Sequence, residues 1–332
     1  MRRQIALTAL AAAALAIAAL PAFADFPERR IQVSYPWAPG APAYVVSQII
    51  ADGMAAELGV DVAVVARPGA GGVNAIMAGL GEPADGYTII DGYVAPLIIS
   101  PLFGKAEYSW RDFIPLHSAS SNAFALASRA DEDRWSDFPS FIEYLKAHPG
   151  ATRFTASEEL TLPHMVASRM LQSQGAVARN VPYVGLAPGM KDLRGGLLDW
   201  MLINPGVFRS NRDHIKVLAV FSELPEVIEI YEGAPQIADF GIDIGLTGLA
   251  PVGWNWWVVK DGTPEEAVDR LRDAMAKALA DPAVREKILE IGFVPTGYSA
   301  EQYEEVAAQI DRELRSAMES VEWLRAELRK LN

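Results

Sequence analysis

From Ile31 onward, short apolar runs alternate with amphipathic helical patterns. That alternation restricts the chain to strands layered with helices, an α/β fold. IQVSY (31–35), VAVVA (62–66), YTII (87–90), WMLI (200–203) and KVLAVF (216–221) read as buried strands. Between the first two, Val45, Val46, Ile49, Ile50, Met54 and Leu58 mark one face of a helix, which Gly59 stops. Ser136-Asp137-Phe138-Pro139 opens another, with Phe141, Ile142 and Leu145 inward and Pro149-Gly150 closing it. Thr263-Pro264-Glu265-Glu266 predicts a helix with Thr263 as N-cap, and Ser299 with Gln302 predicts a capping box before a long helix to about Glu327. There is no internal repeat and no low-complexity linker, so two lobes would be joined by ordered crossing strands.

The start of the chain predicts export. Arg2 and Arg3 precede an apolar, alanine-rich run from Ile5 to Leu20, and Ala22-Phe23-Ala24 fits a small-x-small cleavage site. These features predict a signal peptide over 1–24 and a periplasmic mature protein beginning at Asp25. A retained anchor is the competing reading, but it needs about 20 strongly apolar residues. The mature length suits two domains. Cysteine is absent, which excludes disulfides, thiol nucleophiles and thiolate metal sites. A net charge of −13 argues against a nucleic-acid partner, whose binding needs a basic footprint. It leaves small anions open, because distant charges are screened beyond about 8 Å at physiological salt.

Enzyme chemistry finds little support. The sequence holds no G-x-S-x-G elbow and no H-E-x-x-H pair, and His117, His148, His164 and His214 lack metal-ligand spacing. Arg67-Pro68-Gly69-Ala70-Gly71-Gly72 follows a strand, yet it fits neither the dinucleotide fingerprint nor the P-loop. No cofactor and no metal are therefore expected.

Six stretches together carry a resemblance. They are Tyr35–Tyr44 (YPWAPGAPAY), Arg67–Gly72 (RPGAGG), Pro83–Thr88 (PADGYT), Arg111–Leu116 (RDFIPL), Val181–Leu202 (VPYVGLAPGMKDLRGGLLDWML) and Gly262–Pro264 (GTP). In this order they resemble the periplasmic solute receptors of tripartite tricarboxylate transporters, the Bug receptors, across nearly the whole mature chain. The resemblance implies a two-lobed periplasmic-binding-protein fold, type II-like, with both lobes α/β and a ligand cleft between them. It places the first lobe at about 25–124 and 250–332 and the second at 125–249. Crossings fall near Phe124–Ala127 and Gly248–Trp257, with the C-terminal helices packing back on the first lobe. It further implies a small organic carboxylate as ligand and the permease subunits of a membrane transporter as partners. A sensor presenting its liganded form to a membrane kinase is the alternative, and a two-lobed transferase a remote one.

Candidate ligand contacts follow from the same resemblance. The loop holding Pro36, Trp37, Ala38, Gly40, Ala41 and Tyr44 leads from a strand into a helix, whose free N–H groups and partial positive charge suit a carboxylate. Gly40 would let the backbone approach the ligand, the prolines would stiffen the loop, and Trp37 would supply a flat wall. A proline-rich turn packed by its own aromatics is the purely structural alternative. Tyr93 and Asn204 follow strands and could face the cleft; Trp254, His164 and Gly185 match the family, and Thr161 stands in place of its serine. His164 suits packing or hydrogen bonding better than ionic contact.

The departures shape the expected ligand. Tyr44 stands where the family has aspartate, and Ala41 and Trp256 stand where it has glycine. The family's GxGSxxH loop is here Glu158-Glu159-Leu160-Thr161-Leu162-Pro163-His164. Two glutamates in that loop would oppose a second carboxylate unless they point to solvent. The expected ligand therefore has one carboxylate on the Trp37–Tyr44 loop and an apolar or aromatic body between the lobes. At least one of Trp254, Trp256 and Trp257 should belong to the core.

Overall fold

The structure is a computed structural model describing residues 26–40, 42–121, 123–183, 185–245 and 254–331. The expected signal peptide, Ala41 and residues 248–253 of the second expected crossing lie outside the described residues. Two sheets organise the remainder. The first begins with β1 (Ile31–Tyr35), β2 (Val62–Ala66), β3 (Thr88–Tyr93) and β4 (Phe113–Ser121). The second comprises β5 (Ala125–Arg129), β6 (Arg153–Thr155), β7 (Arg179–Asn180), β8 (Trp200–Ile203) and β9 (Ile215–Val220). The chain then returns to the first sheet as β10 (Trp254–Lys260) and β11 (Val294–Pro295).

The strand orders are β11-β4-β10-β3-β1-β2 and β7-β6-β8-β5-β9. Within each sheet one parallel trio (β2-β1-β3 and β7-β6-β8) is continued by antiparallel strands. Parallel strands need helical crossovers, which is why the apolar runs alternate with helical patterns. Each sheet with its helices forms one α/β lobe.

Helix α1 (Pro42–Leu58) takes proline at its first position, where no N–H is required. Its buried face is Val46, Ser47, Ile50, Ala51, Met54 and Leu58, while Val45 is partly exposed, shifting the expected stripe by one position. Full burial of Ile50, Met54 or Leu58 is worth about 1.5–3 kcal/mol each. α2 (Val73–Gly81) precedes β3, and a single π turn, Ala95–Ile99, follows it. The second lobe carries α3 (Phe138–Ala147), α4 (Leu162–Gln174), α5 (Leu186–Arg194), α6 (Pro205–Asn211) and α7 (Pro225–Ile230).

α8 (Glu265–Ala280) and α9 (Pro282–Ile291) lie against α1. A Cβ on Gly53 of α1 would come 2.9 Å from Ala278 Cβ of α8, so glycine sets how closely these two helices approach. Thr263 does not cap α8 as predicted. Its hydroxyl donates instead to the Lys260 carbonyl at 2.7 Å, and Pro264 occupies the cap.

The last helix, α10 (Tyr303–Lys330), departs from the expectation that the C-terminal helices pack on the first lobe. Its start is anchored there, with the Tyr303 hydroxyl donating to the Trp110 carbonyl at 2.8 Å. At about 1.5 Å per residue it is then long enough to leave that lobe and run along α4 of the second. Arg169 pairs with Glu313 at 3.1 Å, the Ser320 hydroxyl meets Gln172 at 2.5 Å, and Arg325 pairs with Glu159 at 2.7 Å. The physical reason is the stripe Val306, Ile310, Leu314, Ala317, Val321 and Leu324, which joins Met165, Val166 and Met170 of α4 in one core. The helix straps the two lobes together.

Candidate functional site

Two connected chambers lie where the strand ends of both lobes face each other. The narrow one is about 330 Å³ and the wide one about 1000 Å³, and they share Pro42, Phe124, Ser157, Pro163 and Asn204. These residues follow β1, the β4–β5 crossing, β6 and β8, so the cleft sits at strand C-terminal ends, where α/β sheets bind ligands.

The narrow chamber is aromatic and uncharged. Trp37, Tyr93 and Trp254 from the first lobe, Phe124 from the crossing and Phe293 before β11 provide its rings. Trp37 meets Tyr93 edge-on, with centroids 6.1 Å apart, and Tyr93 meets Tyr35 in the same manner at 6.2 Å. Its lining among the described residues includes no ionisable acid or base other than the Tyr93 phenol. Two helix starts supply its polarity: Pro42 and Ala43 of α1, and Leu162 and Pro163 of α4. No side chain caps α4, because the Thr161 hydroxyl donates to the carbonyls of Ala156 (3.2 Å) and Glu158 (2.8 Å). Two helix starts from opposite lobes thus border one small space, which suits an anion better than a cation.

The Tyr93 hydroxyl is 92% hidden with its ring yet makes no hydrogen bond of ordinary geometry, and neither does the Trp254 Nε1–H. Buried polar groups are ordinarily paired, so both are candidates for ligand contact. Behind Tyr93 lies Asp91, fully buried. It accepts from the Ser47 hydroxyl and the Asn255 amide, each at 2.6 Å, while the Asn255 carbonyl oxygen accepts from Ser120 N–H (3.0 Å) and Oγ (2.9 Å). Burial pushes the Asp91 carboxyl up to about 6, against the lowering effect of those donors. Burial and the Asp91 charge also raise the Tyr93 phenol, which stays protonated as a donor.

The wide chamber is built mainly by the second lobe. Leu186, Ala187, Met190, Lys191 and Arg194 of α5 form one wall; Gly206, Val207, Ser210 and Asn211 of α6 form another. Gly185 precedes α5 with φ 81°, a left-handed value glycine adopts freely, and leaves that helix start uncapped. The Asn204 carbonyl oxygen caps α6 by accepting from Val207 N–H at 2.9 Å, so its amide is already fixed.

Of the residues singled out in the sequence, Trp37, Tyr93, Thr161, Gly185, Asn204 and Trp254 line these chambers. The others do not. Pro36 is buried, and a Cβ on Gly72 would meet its Cβ at 3.0 Å. Ala38 and Gly40 are exposed and border neither chamber. Tyr44 points the other way, its hydroxyl donating to the Val64 carbonyl at 3.2 Å. His164 is buried beneath the α4 start, accepts from Leu160 N–H at 3.3 Å, and burial holds it at about 4, so it is neutral at physiological pH. Trp256 packs on Tyr303 and belongs to the core. Trp257, on the opposite face of β10, belongs to the core of the first lobe.

Of the two settings left open for the glutamates, the structure shows the solvent-facing one. Glu158 and Glu159 are exposed and line neither chamber, since Glu159 turns out to pair with Arg325. Leu160, at a position where the family has glycine, keeps φ at 61°. The sequence reading passed over Phe124, Ser157, Phe293, Lys191 and Arg194. Phe124 at a crossing, and two basic residues shortly after the Gly185-Leu186-Ala187-Pro188-Gly189 stretch, were the available signals.

Two α/β lobes facing each other across a cleft of helix starts define a solute-binding receptor. The chain belongs to the tripartite tricarboxylate transporter receptor family, which it matches over residues 46–319. It is 29% identical over 284 residues to a protein encoded in the tcbD–tcbE intergenic region of Pseudomonas sp., covering 83% of this chain and 81% of that one. It is 27% identical over 301 residues to BugT of Bordetella pertussis, covering 89% and 90%. A TctC solute-binding protein from Polaromonas shares the fold at a TM-score of 0.75 and 24% identity, covering 90% of this chain and all of that one. Receptors of this family are periplasmic and bind solutes; they are not enzymes. Among the described residues no acidic or histidine cluster could hold a metal, and no helix is long and apolar enough to cross a membrane.

Proposed function

We infer that the protein captures a small organic carboxylate in the narrow chamber and passes it to the permease of a tripartite tricarboxylate-type transporter. One observation carries the reading: an uncharged aromatic chamber with helix starts from both lobes opening into it. The carboxylate takes the free N–H groups of α1 and α4, and an apolar or aromatic body lies against Trp37, Tyr93, Trp254, Phe124 and Phe293. A buried aromatic contact adds about 0.5–1.5 kcal/mol beyond area burial, which favours aromatic over aliphatic acids of similar size. Binding to groups of both lobes stabilises the closed state by differential affinity. The mature receptor begins at Asp25, after signal cleavage in export.

Calorimetry on the mature protein tests the ligand class. Benzoate or octanoate should bind more tightly than citrate, because a compact trianion would bury two charges against an uncharged wall. Tight citrate binding with no response to the apolar acids would sink the reading. N-terminal sequencing of periplasmic protein checks the cleavage, and Met1 on a membrane-bound product would contradict it.

A further inference from the structure

We propose that the wide chamber is a second anion subsite, where Lys191 and Arg194 hold the far carboxylate of an elongated acid. The proposal rests on the carboxylate-receptor reading above and deepens it. The first argument is charge. This chain carries 42 acidic residues against 29 basic ones, yet the only charged side chains lining the wide chamber, among the described residues, are these two cations. They stand three apart on α5, and so on one face of the helix.

The second argument is that both charges are uncommitted. Neither makes an ion pair within 4.0 Å among the described residues. The acids in their neighbourhood are engaged elsewhere: Asp192 accepts from the Tyr183 hydroxyl, and Asp131 pairs with Arg129 at 3.0 Å. Arg194 also borders a smaller pocket with Asp131 and Asp213, without pairing with either. The glutamates expected to oppose a second carboxylate are outside the cleft.

The third argument is size. The wide chamber, about 1000 Å³, reaches the top of the range for drug-sized ligands and adjoins the narrow one along Phe124, Ser157 and Asn204, which line both. A short monoacid seated at the α1 and α4 starts would leave it empty. An acid with carboxylates at both ends and an apolar middle fits both chambers. It separates its charges by the aromatic wall, which a compact polyacid cannot do.

Calorimetry with paired acids of equal chain length tests the proposal, using suberate against octanoate and sebacate against decanoate. Wild-type protein should bind each diacid about tenfold more tightly than its monoacid. The Lys191→Ala/Arg194→Ala double variant should bring the two within about threefold, chiefly by weakening the diacid. Added salt should narrow the wild-type gap, since both cations are exposed. Lys191→Arg/Arg194→Lys should restore it, and matched melting curves confirm that the variants fold. If monoacids bind and diacids bind no better, or the double variant keeps the preference, the subsite is overturned while the receptor reading stands. If neither acid of either pair binds, the receptor reading fails and the subsite with it.

Discussion

The narrow and wide chambers share a wall but are made differently. The narrow chamber draws on both lobes and the crossing, has no charged side chain among the described residues of its lining, and presents orphaned polar groups on an aromatic frame. The wide one is largely the work of α5 and α6 in the second lobe and carries its charge on flexible, exposed side chains. Backbone N–H groups fixed by helices lose little entropy on binding, whereas long cationic side chains lose more. For the elongated acid proposed above, the difference implies a preorganised site for the first carboxylate and a second chamber that would discriminate by charge and length.

The largest expected effect lies behind the narrow chamber. The folded-state value of Asp91, about 6, exceeds its ordinary 3.8, so the fold favours the protonated form. Stability from this group is therefore fully present below 3.8 and is lost as pH rises toward 6, by about 3 kcal/mol in all. Asp91→Asn should remove that loss, and denaturant midpoints across this pH window for both proteins measure it. A parallel pH dependence in the variant would mean that Asp91 is not the source.

Nearly as large, Ala43→Asp should place a negative charge at the α1 start, inside the narrow chamber. It should weaken carboxylate binding about a hundredfold, or ~2.7 kcal/mol, while stabilising the helix by about 0.3–1 kcal/mol. Opposite signs in calorimetry and thermal unfolding would sharpen the contrast between the chambers; unchanged affinity would break it. Tyr93→Phe should cost about tenfold in binding, near 1.4 kcal/mol, with little fall in melting temperature, because its hydroxyl makes no hydrogen bond of ordinary geometry within the fold.

The smallest effect belongs to Gly40. The sequence alone suggests that a side chain there blocks the ligand, yet Gly40 has open space around it and borders neither chamber. Its φ of 86° is instead the constraint. Gly40→Ala should cost about 1 kcal/mol of stability through backbone strain and change affinity less than threefold. A large affinity loss would return the loop to direct ligand contact.

Legibility in the sequence followed the range of the forces involved. IQVSY, VAVVA and WMLI became strands as read, and the Asp137 cap and the Ser299–Gln302 box formed, because each depends on neighbours a few residues away. Trp37 and Tyr93 were found at strand ends for the same reason. The settings of Tyr44 and Glu159 were not legible, because the direction of a side chain in a loop depends on partners far along the chain, here Val64 and Arg325.

By itself the sequence determined the class of fold and the family, since apolar periodicity, caps and ordered motifs act locally and survive without coordinates. Only the tertiary structure decided what faces the cleft. It turned α10 onto the second lobe, drew Glu159 away to Arg325, and left Lys191 and Arg194 on the chamber wall. Those outcomes depend on which amphipathic faces find each other across more than a hundred residues, and burial, being non-directional, leaves no local mark of its partner in the chain.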